Sequence, residues 1–215
     1  FTNAGFEDGD LTGWDSYVPS YAAASASTGL SHWNWSVSPQ DGSYFGVAQS
    51  GLQNTYCELW QTVDLKKKDL VWGYSFFSSS DYWPFLDDGQ VYVLSGDEDG
   101  SVAYTALNES VGTVGDYGST GWGYWEFEAA STGTYTVLGR VRNIGDSGVA
   151  SYVGLDGVDF EPGLIEVTFD VKPESTTNGI NLKSKGVIPC AILGTAEFDV
   201  DDVDVDSLAF GPAGI

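Results

Sequence analysis

From Tyr44 to Phe160 the chain runs as short apolar-rich segments, each closed by Gly, Asp, Asn, Ser or Pro. These are Tyr44 to Ala48, Glu58 to Val63, Leu70 to Phe77, Gln90 to Leu94, Val102 to Leu107, Tyr124 to Glu128, Tyr135 to Val141 and Tyr152 to Phe160. Glu58-Leu59-Trp60-Gln61-Thr62-Val63 and Thr134-Tyr135-Thr136-Val137-Leu138-Gly139 alternate with the two-residue period that sends every second side chain to one face of a strand. No stretch carries the helical period for a useful length. The spacing therefore predicts an all-β chain built as an antiparallel β-sandwich. Its 28 glycines and its 11 Phe, 12 Tyr and 8 Trp suit tight turns and strands.

Glu161-Pro162-Gly163 interrupts this series where a new pattern begins, which predicts two modules, 1–161 and 162–215. The second holds three short apolar runs, Ile165 to Val171, Gly186 to Leu193 and Ser207 to Phe210. Three short strands cannot cover both faces of a sheet or satisfy its edges. The expectation is an incomplete sandwich-like module, completed by another chain or segment. Val187, Ile188, Ala191, Ile192 and Leu193 would form its assembly surface.

Charge narrows the partners. With 31 acidic against 8 basic residues, a formal net charge of −23 repels nucleic-acid phosphates and anionic membranes, and makes cations the natural counterpart. The hydrophobic share, 42%, is enough to fill a core, so disorder is not expected. No apolar stretch approaches the ~18 residues of a membrane helix. A secreted or cell-surface protein without membrane insertion is the expectation.

Two resemblances sharpen this reading. Phe1-Thr2-Asn3-Ala4-Gly5-Phe6-Glu7-Asp8-Gly9-Asp10-Leu11-Thr12-Gly13-Trp14 resembles the opening signature of galactose-binding-like jelly-roll modules, which include several carbohydrate-binding modules. Leu59-Trp60-Gln61-Thr62-Val63 and Val153-Gly154-Leu155-Asp156-Gly157-Val158-Asp159-Phe160 are similar to strands of that family, so the resemblance spans residues 1 to 160. Phe169-Asp170-Val171-Lys172-Pro173-Glu174-Ser175 and Asn178 to Thr195 resemble a second recurring bacterial extracellular module, without its later acidic turn and strand. The first resemblance implies a jelly roll in which a structural Ca²⁺ joins the first and last strands, here through Glu7 and Asp156. Hard oxygen ligands of this sort suit Ca²⁺. The second implies no catalytic role.

Other candidates come from the residues themselves. Trp33 and Trp35, and Trp83 and Phe85 in Tyr82-Trp83-Pro84-Phe85, could stack on sugar faces, with Asp87 and Asp88 accepting hydroxyl hydrogens. Trp122 and Trp125 form a third aromatic group. The alternative for all of these rings is core packing. In the acidic run Asp199, Asp201, Asp202, Asp204 and Asp206, a strand would bring Asp202, Asp204 and Asp206 to one face, either as a solvated edge that discourages mispairing or as a place for shared cations. Cys57 and Cys190, one per module, are candidates for a disulfide within or between chains, or for two free thiols. The single histidine, His32, reads as structural or as a surface group, and no nucleophile has a recognisable base, so no enzyme is expected. The leading expectation is a self-associating structural or adhesive subunit, partnered by itself or another surface protein. The alternative is a calcium-stabilised module that binds a polysaccharide.

Overall fold

The computed structural model describes residues 1–164, 167–177, 179–181, 183, 186–195 and 198–208. The chain divides into two compact units, Phe1–Gly163 and Leu164–Ile215. The first is a jelly-roll β-sandwich of two five-stranded antiparallel sheets. One sheet is ordered β1 (Asp15–Tyr17), β6 (Cys57–Leu65), β11 (Gly133–Arg142), β8 (Asp88–Ser95) and β9 (Ser101–Ser110). The other is ordered β10 (Gly123–Glu128), β7 (Leu70–Ser79), β12 (Ser151–Glu161), β5 (Phe45–Gln49) and β2 (Ala23–Ser27). A separate hairpin pairs β3 (Leu30–His32) with β4 (Trp35–Val37), and a single helical turn, α1 (Val111–Val114), follows β9.

Each strand expected between Tyr44 and Phe160 is present, with ends shifted by up to three residues. Strands β1 to β4 are short or only weakly apolar; β2 alternates just Ala24 and Ala26 with Ser25 and Ser27, and is held by its pairing to β5. The core lies between the sheets. Leu59 and Leu65 of β6, Val91 and Val93 of β8 and Val137 of β11 meet Phe77 of β7 and Val153 and Leu155 of β12. Phe6 enters this core and stacks on Trp14, ring centroids 4.8 Å apart. Position 46 must be glycine for this to occur, because a Cβ there would overlap the Phe6 ring. The end of the unit is pinned by the buried Asp69, whose Oδ1 accepts from Gly163 N at 3.0 Å and whose Oδ2 accepts from Lys66 N at 2.7 Å.

In the second unit, β13 (Thr168–Val171) pairs antiparallel with β14 (Cys190–Leu193), placing Phe169 opposite Ile192. Of the expected assembly surface, Val187 is 97% exposed, Ile188 and Leu193 are exposed, and Ala191 and Ile192 are half-buried. Two expectations are corrected. Of the expected third run, Ser207 to Phe210, Ser207 closes the 3-10 turn Val205–Ser207 and Leu208 caps it, and Ala209 and Phe210 lie outside the described residues. The acidic run likewise does not form a strand face. Asp199 and Asp204 accept from the amides of Asp201 and Asp206, both at 3.0 Å, and these local bonds compete with extended backbone.

Candidate functional site

The outer face of the β6–β11–β8 sheet is assembled by register. Trp60 lies opposite Leu138, which lies opposite Tyr92; Glu58 lies opposite Arg140, which lies opposite Gln90; and Arg142 lies opposite Asp88. Directly opposed residues share a face, so these side chains stand side by side on the surface away from the core. Arg140 and Arg142 are the only arginines in a strongly acidic chain. The Arg140 guanidinium lies over the Tyr56 ring at 4.2 Å and near the Tyr92 ring at 5.1 Å, and its Nε donates to Gln90 Oε1 at 3.0 Å. Among the described residues its other N–H groups have no hydrogen-bond partner. Arg142 makes a bidentate pair with Asp88, with Nη2 to Oδ2 at 2.8 Å, and also covers Tyr56 at 4.5 Å. Burial pushes the Glu58 carboxyl up, and the Arg140 charge partly offsets it. The result is a fixed array of half-exposed ring faces, guanidinium and carboxylate, with the buried Gln90 amide holding Arg140 in place. Sequence reasoning missed it; the alternation Arg140-Val141-Arg142 was the available signal.

The opening motif builds a second feature. Asn3 and Phe6 adopt left-handed backbone, φ 49 and 60, and Phe6 N donates to Asn3 O at 2.9 Å, curling the chain so that Phe6 points inward and Glu7 outward. Glu7 Oε1 accepts from the amides of Ser43 and Tyr44, both at 2.9 Å. Gly42 is required there by its φ of 61 and because a Cβ would collide with the Glu7 carboxylate. A bulge in β12 between Asp156 and Asp159 accompanies the fully buried Asp156, whose Oδ2 accepts from Gln40 N at 2.7 Å and Asp41 N at 3.1 Å. Asp156 Oδ1 is buried with no hydrogen-bond partner. Burial raises the Asp156 proton affinity, opposed by the amides of Asp41 and Gln40. A Cβ on Gly5 would lie 3.7 Å from both Asp156 Oδ1 and Glu7 Cγ, so the two acidic residues flank one glycine. An orphaned, buried carboxylate oxygen fits a hard cation. Among the described residues no three acidic, His or Cys side chains converge on one point, so an ion here would also draw on carbonyl oxygens and water.

Three of the four candidate sugar-binding rings, Trp33, Trp35 and Phe85, lie in one cluster, whereas Trp83, whose N donates to Asp116 Oδ1 at 2.8 Å, makes no ring contact among the described residues. Trp33 contacts Tyr117 with centroids 5.1 Å apart, Tyr117 contacts Tyr82 at 5.5 Å, and Phe85 meets Tyr82 edge-on at 5.7 Å. Trp35 joins through His32 and packs edge-on against Tyr152. Trp33 and Trp83 are 73% and 70% exposed, whereas Trp35 and Phe85 are half-buried. Tyr117 went unnoticed in the sequence; it sits in the turn after α1 with φ 55, where Asn34 Nδ2 donates to its carbonyl at 3.0 Å. Trp125 is core, and Trp122 packs edge-on between Phe45 and Phe76. Asp87 and Asp88 do not face these rings as free acceptors. Asp87 is fully buried in a hydroxyl network, and Asp88 is held by Arg142. Both cysteines are free thiols: Cys57 is buried, with its pKa pushed up to about 11 by burial, and Cys190 is exposed.

No family model matches the chain, and no curated protein matches it either. Among solved structures it is similar to TmCBM61, solved in complex with beta-1,4-galactotriose, at 17% identity over 75% of this chain and 97% of that one, TM-score 0.47. A structure of carbohydrate-binding modules from the beta-sandwich super family is similar at 15% identity over 73% and 60%, TM-score 0.47. The K1 cleaved adhesin domain of Lys-gingipain from Porphyromonas gingivalis W83 is similar at 16% identity over 74% and 96%, TM-score 0.46. At identities and scores this low, the β-sandwich rests on the strand pairing of this chain, and its function on its own side chains. No helix among the described residues is long and apolar enough to cross a membrane.

Proposed function

We propose that the first unit is an extracellular, non-catalytic module that binds a neutral polysaccharide on the outer face of β6, β11 and β8. One observation carries this reading: the only two arginines of the chain stand together over Tyr56 and beside Tyr92, Gln90, Glu58 and Trp60. Sugar C–H faces stack on aromatic rings, while guanidinium and carboxylate groups bond hydroxyls in fixed directions. The net charge of −23 disfavours a polyanionic chain. The exposed Trp33 of the ring cluster and the exposed Trp83 supply further stacking rings. Calcium is structural in this reading, held by Asp156 with Glu7 and carbonyl oxygens, where it would neutralise buried carboxylate and tie the N-terminal loop to β12. Affinity electrophoresis against neutral and acidic polysaccharides tests the proposal. Retardation by a neutral polymer, lost in Arg140→Ala and Tyr92→Ala with the polymer recovered intact, is expected. A protein that no neutral polymer retards, or whose retardation survives both substitutions, would refute it.

A second reading is favoured by the tail. β13 and β14 form a two-stranded sheet beside the exposed Val187, Ile188 and Leu193, and an uncovered sheet edge is a template for strand addition. On this reading the protein is a structural or adhesive subunit that self-associates through residues 164–215. Sedimentation at high salt with calcium tests it: loss of assembly in a chain ending at Gly163 supports it, and a monomeric full-length chain refutes it.

A further inference from the structure

A different carboxylate pair lies where β7 leaves one sheet and β8 enters the other. Asp81 follows β7, Asp87 precedes β8, and both are fully buried, as are Ser79 and Ser151 between them. Asp81 N donates to Ser79 Oγ at 2.9 Å, Ser151 Oγ lies 2.8 Å from Ser79 Oγ, and Ser151 Oγ donates to Asp87 Oδ2 at 2.7 Å. The Asp81 backbone amide and the Asp87 carboxylate are therefore linked through two hydroxyls, while the Asp81 carboxylate stands outside that chain. Asp87 is fully matched, its Oδ1 accepting from Ile144 N at 2.8 Å. Asp81 is not. Its Oδ1 accepts from Tyr82 N at 2.8 Å, but its Oδ2 is buried with no partner. The half-buried Asp146, in the loop between β11 and β12, acts on both as a like charge and raises the proton affinity of each, though burial is the larger cause in both.

Buried polar atoms in folded proteins are matched, and an unmatched carboxylate oxygen beside further negative charge lacks positive charge of its own. We propose that Asp81 Oδ2 anchors a second divalent-cation site, separate from Asp156, with Asp146 beside it and carbonyl and water oxygens completing the shell. The donor set is all oxygen, which selects Ca²⁺ over softer metals. The site would join the loop carrying Tyr82, Trp83 and Phe85 to the loop carrying Asp146. It would also steady Tyr117, whose N donates to Asp81 O at 2.7 Å. Calcium would then order the ring cluster. This inference depends neither on the polysaccharide reading nor on the Asp156 site.

Calcium binding to the full-length chain by isothermal titration and equilibrium dialysis decides it. Asp81→Asn should bind one tight Ca²⁺ fewer than wild type, and Asp156→Asn should lose a different one, so that the double variant loses both. If Asp81→Asn does not fold, Asp146→Asn at the half-buried rim decides alone, with at least a tenfold loss of affinity at one site expected. Tight binding that Asp81→Asn and Asp146→Asn leave unchanged overturns the proposal, as does a wild-type protein whose sole tight ion is lost in Asp156→Asn. A sole ion lost in Asp81→Asn keeps it and removes the Asp156 site instead.

Discussion

Replacing Asp87 with asparagine should stabilise the protein at neutral pH and flatten its pH profile in acid. Burial, opposed by bonds from Ile144 N and Ser151 Oγ and reinforced by Asp81 and Asp146, raises the Asp87 pKa from 3.8 to about 6. The folded carboxyl thus holds its proton more tightly than the unfolded one. Its contribution to stability is complete below the unfolded value and is lost as pH rises through the folded one. That difference corresponds to about 3 kcal/mol between pH ~4 and ~7. For a chain of this size it amounts to roughly 6–12 °C in Tm. Asparagine can keep the network intact. Its Oδ1 can accept from Ile144 N while its Nδ2 donates to Ser151 Oγ, which turns its own hydrogen toward Ser79 Oγ, 2.8 Å away. Thermal unfolding followed by circular dichroism in EDTA, from pH 4 to 7.5, measures the effect. The two proteins should melt together near pH 4, and the variant should melt higher by several degrees at pH 7. Parallel profiles, or a wild-type advantage that grows with pH, would refute the reasoning.

Three further outcomes are expected. Asp156→Asn keeps an oxygen for the Gln40 and Asp41 amides and removes a buried charge, so its Tm in EDTA should equal or exceed that of wild type. Its response to calcium should fall by the contribution of that one site, about 2.7 kcal/mol at a hundredfold excess over Kd, leaving only that of the Asp81 site, and calorimetry with and without calcium checks both signs. Polysaccharide retardation should be nearly unchanged between 0.1 and 1 M NaCl, because a neutral ligand releases no counterions; a steep fall would point to an anionic polymer. A chain ending at Gly163 retains all of β12 and the Gly163–Asp69 bond, so it should unfold cooperatively, whereas ending at Glu161 removes that bond and should cost about 1 kcal/mol in urea unfolding.

What could be read in the sequence depended on how locally the cause was written. The strands from β5 to β12 were legible because their alternation and the turn residues that close them occupy the same short windows. Strand β2 was not, because Ala24 and Ala26 alternate with Ser25 and Ser27 but carry too little apolar surface to stand out, and the strand is placed by its pairing to β5. The acidic run misled because a two-residue spacing of aspartates suits a strand face and equally suits successive side-chain-to-amide turns. The turns prevail where no neighbouring strand offers the backbone a better partner.

The sheet-face array illustrates the same limit at the level of function. Tyr56, Glu58 and Trp60 precede β6 or lie on it, Gln90 and Tyr92 lie on β8, and Arg140 and Arg142 lie on β11. No window of sequence holds as much as half of the face, and only register brings the face together. The ring cluster could be suspected because Trp33 and Trp35 lie close in sequence, as do Tyr82 and Phe85, yet Tyr117, the ring that joins the two pairs, comes from a third segment. Asp81 and Asp87 were hidden for the opposite reason. In sequence they are two acids at the ends of a Pro-containing loop, where exposure is the ordinary expectation for a carboxylate. Their burial follows from closure of β7 and β8 over Ser79 and Ser151. A carboxylate that folding forces out of water, and leaves with one oxygen unmatched, marks a place where a cation can supply what the chain does not. Asp156 and Asp81 each carry this mark, one beneath the N-terminal loop and the other at the root of the loop that bears Trp83.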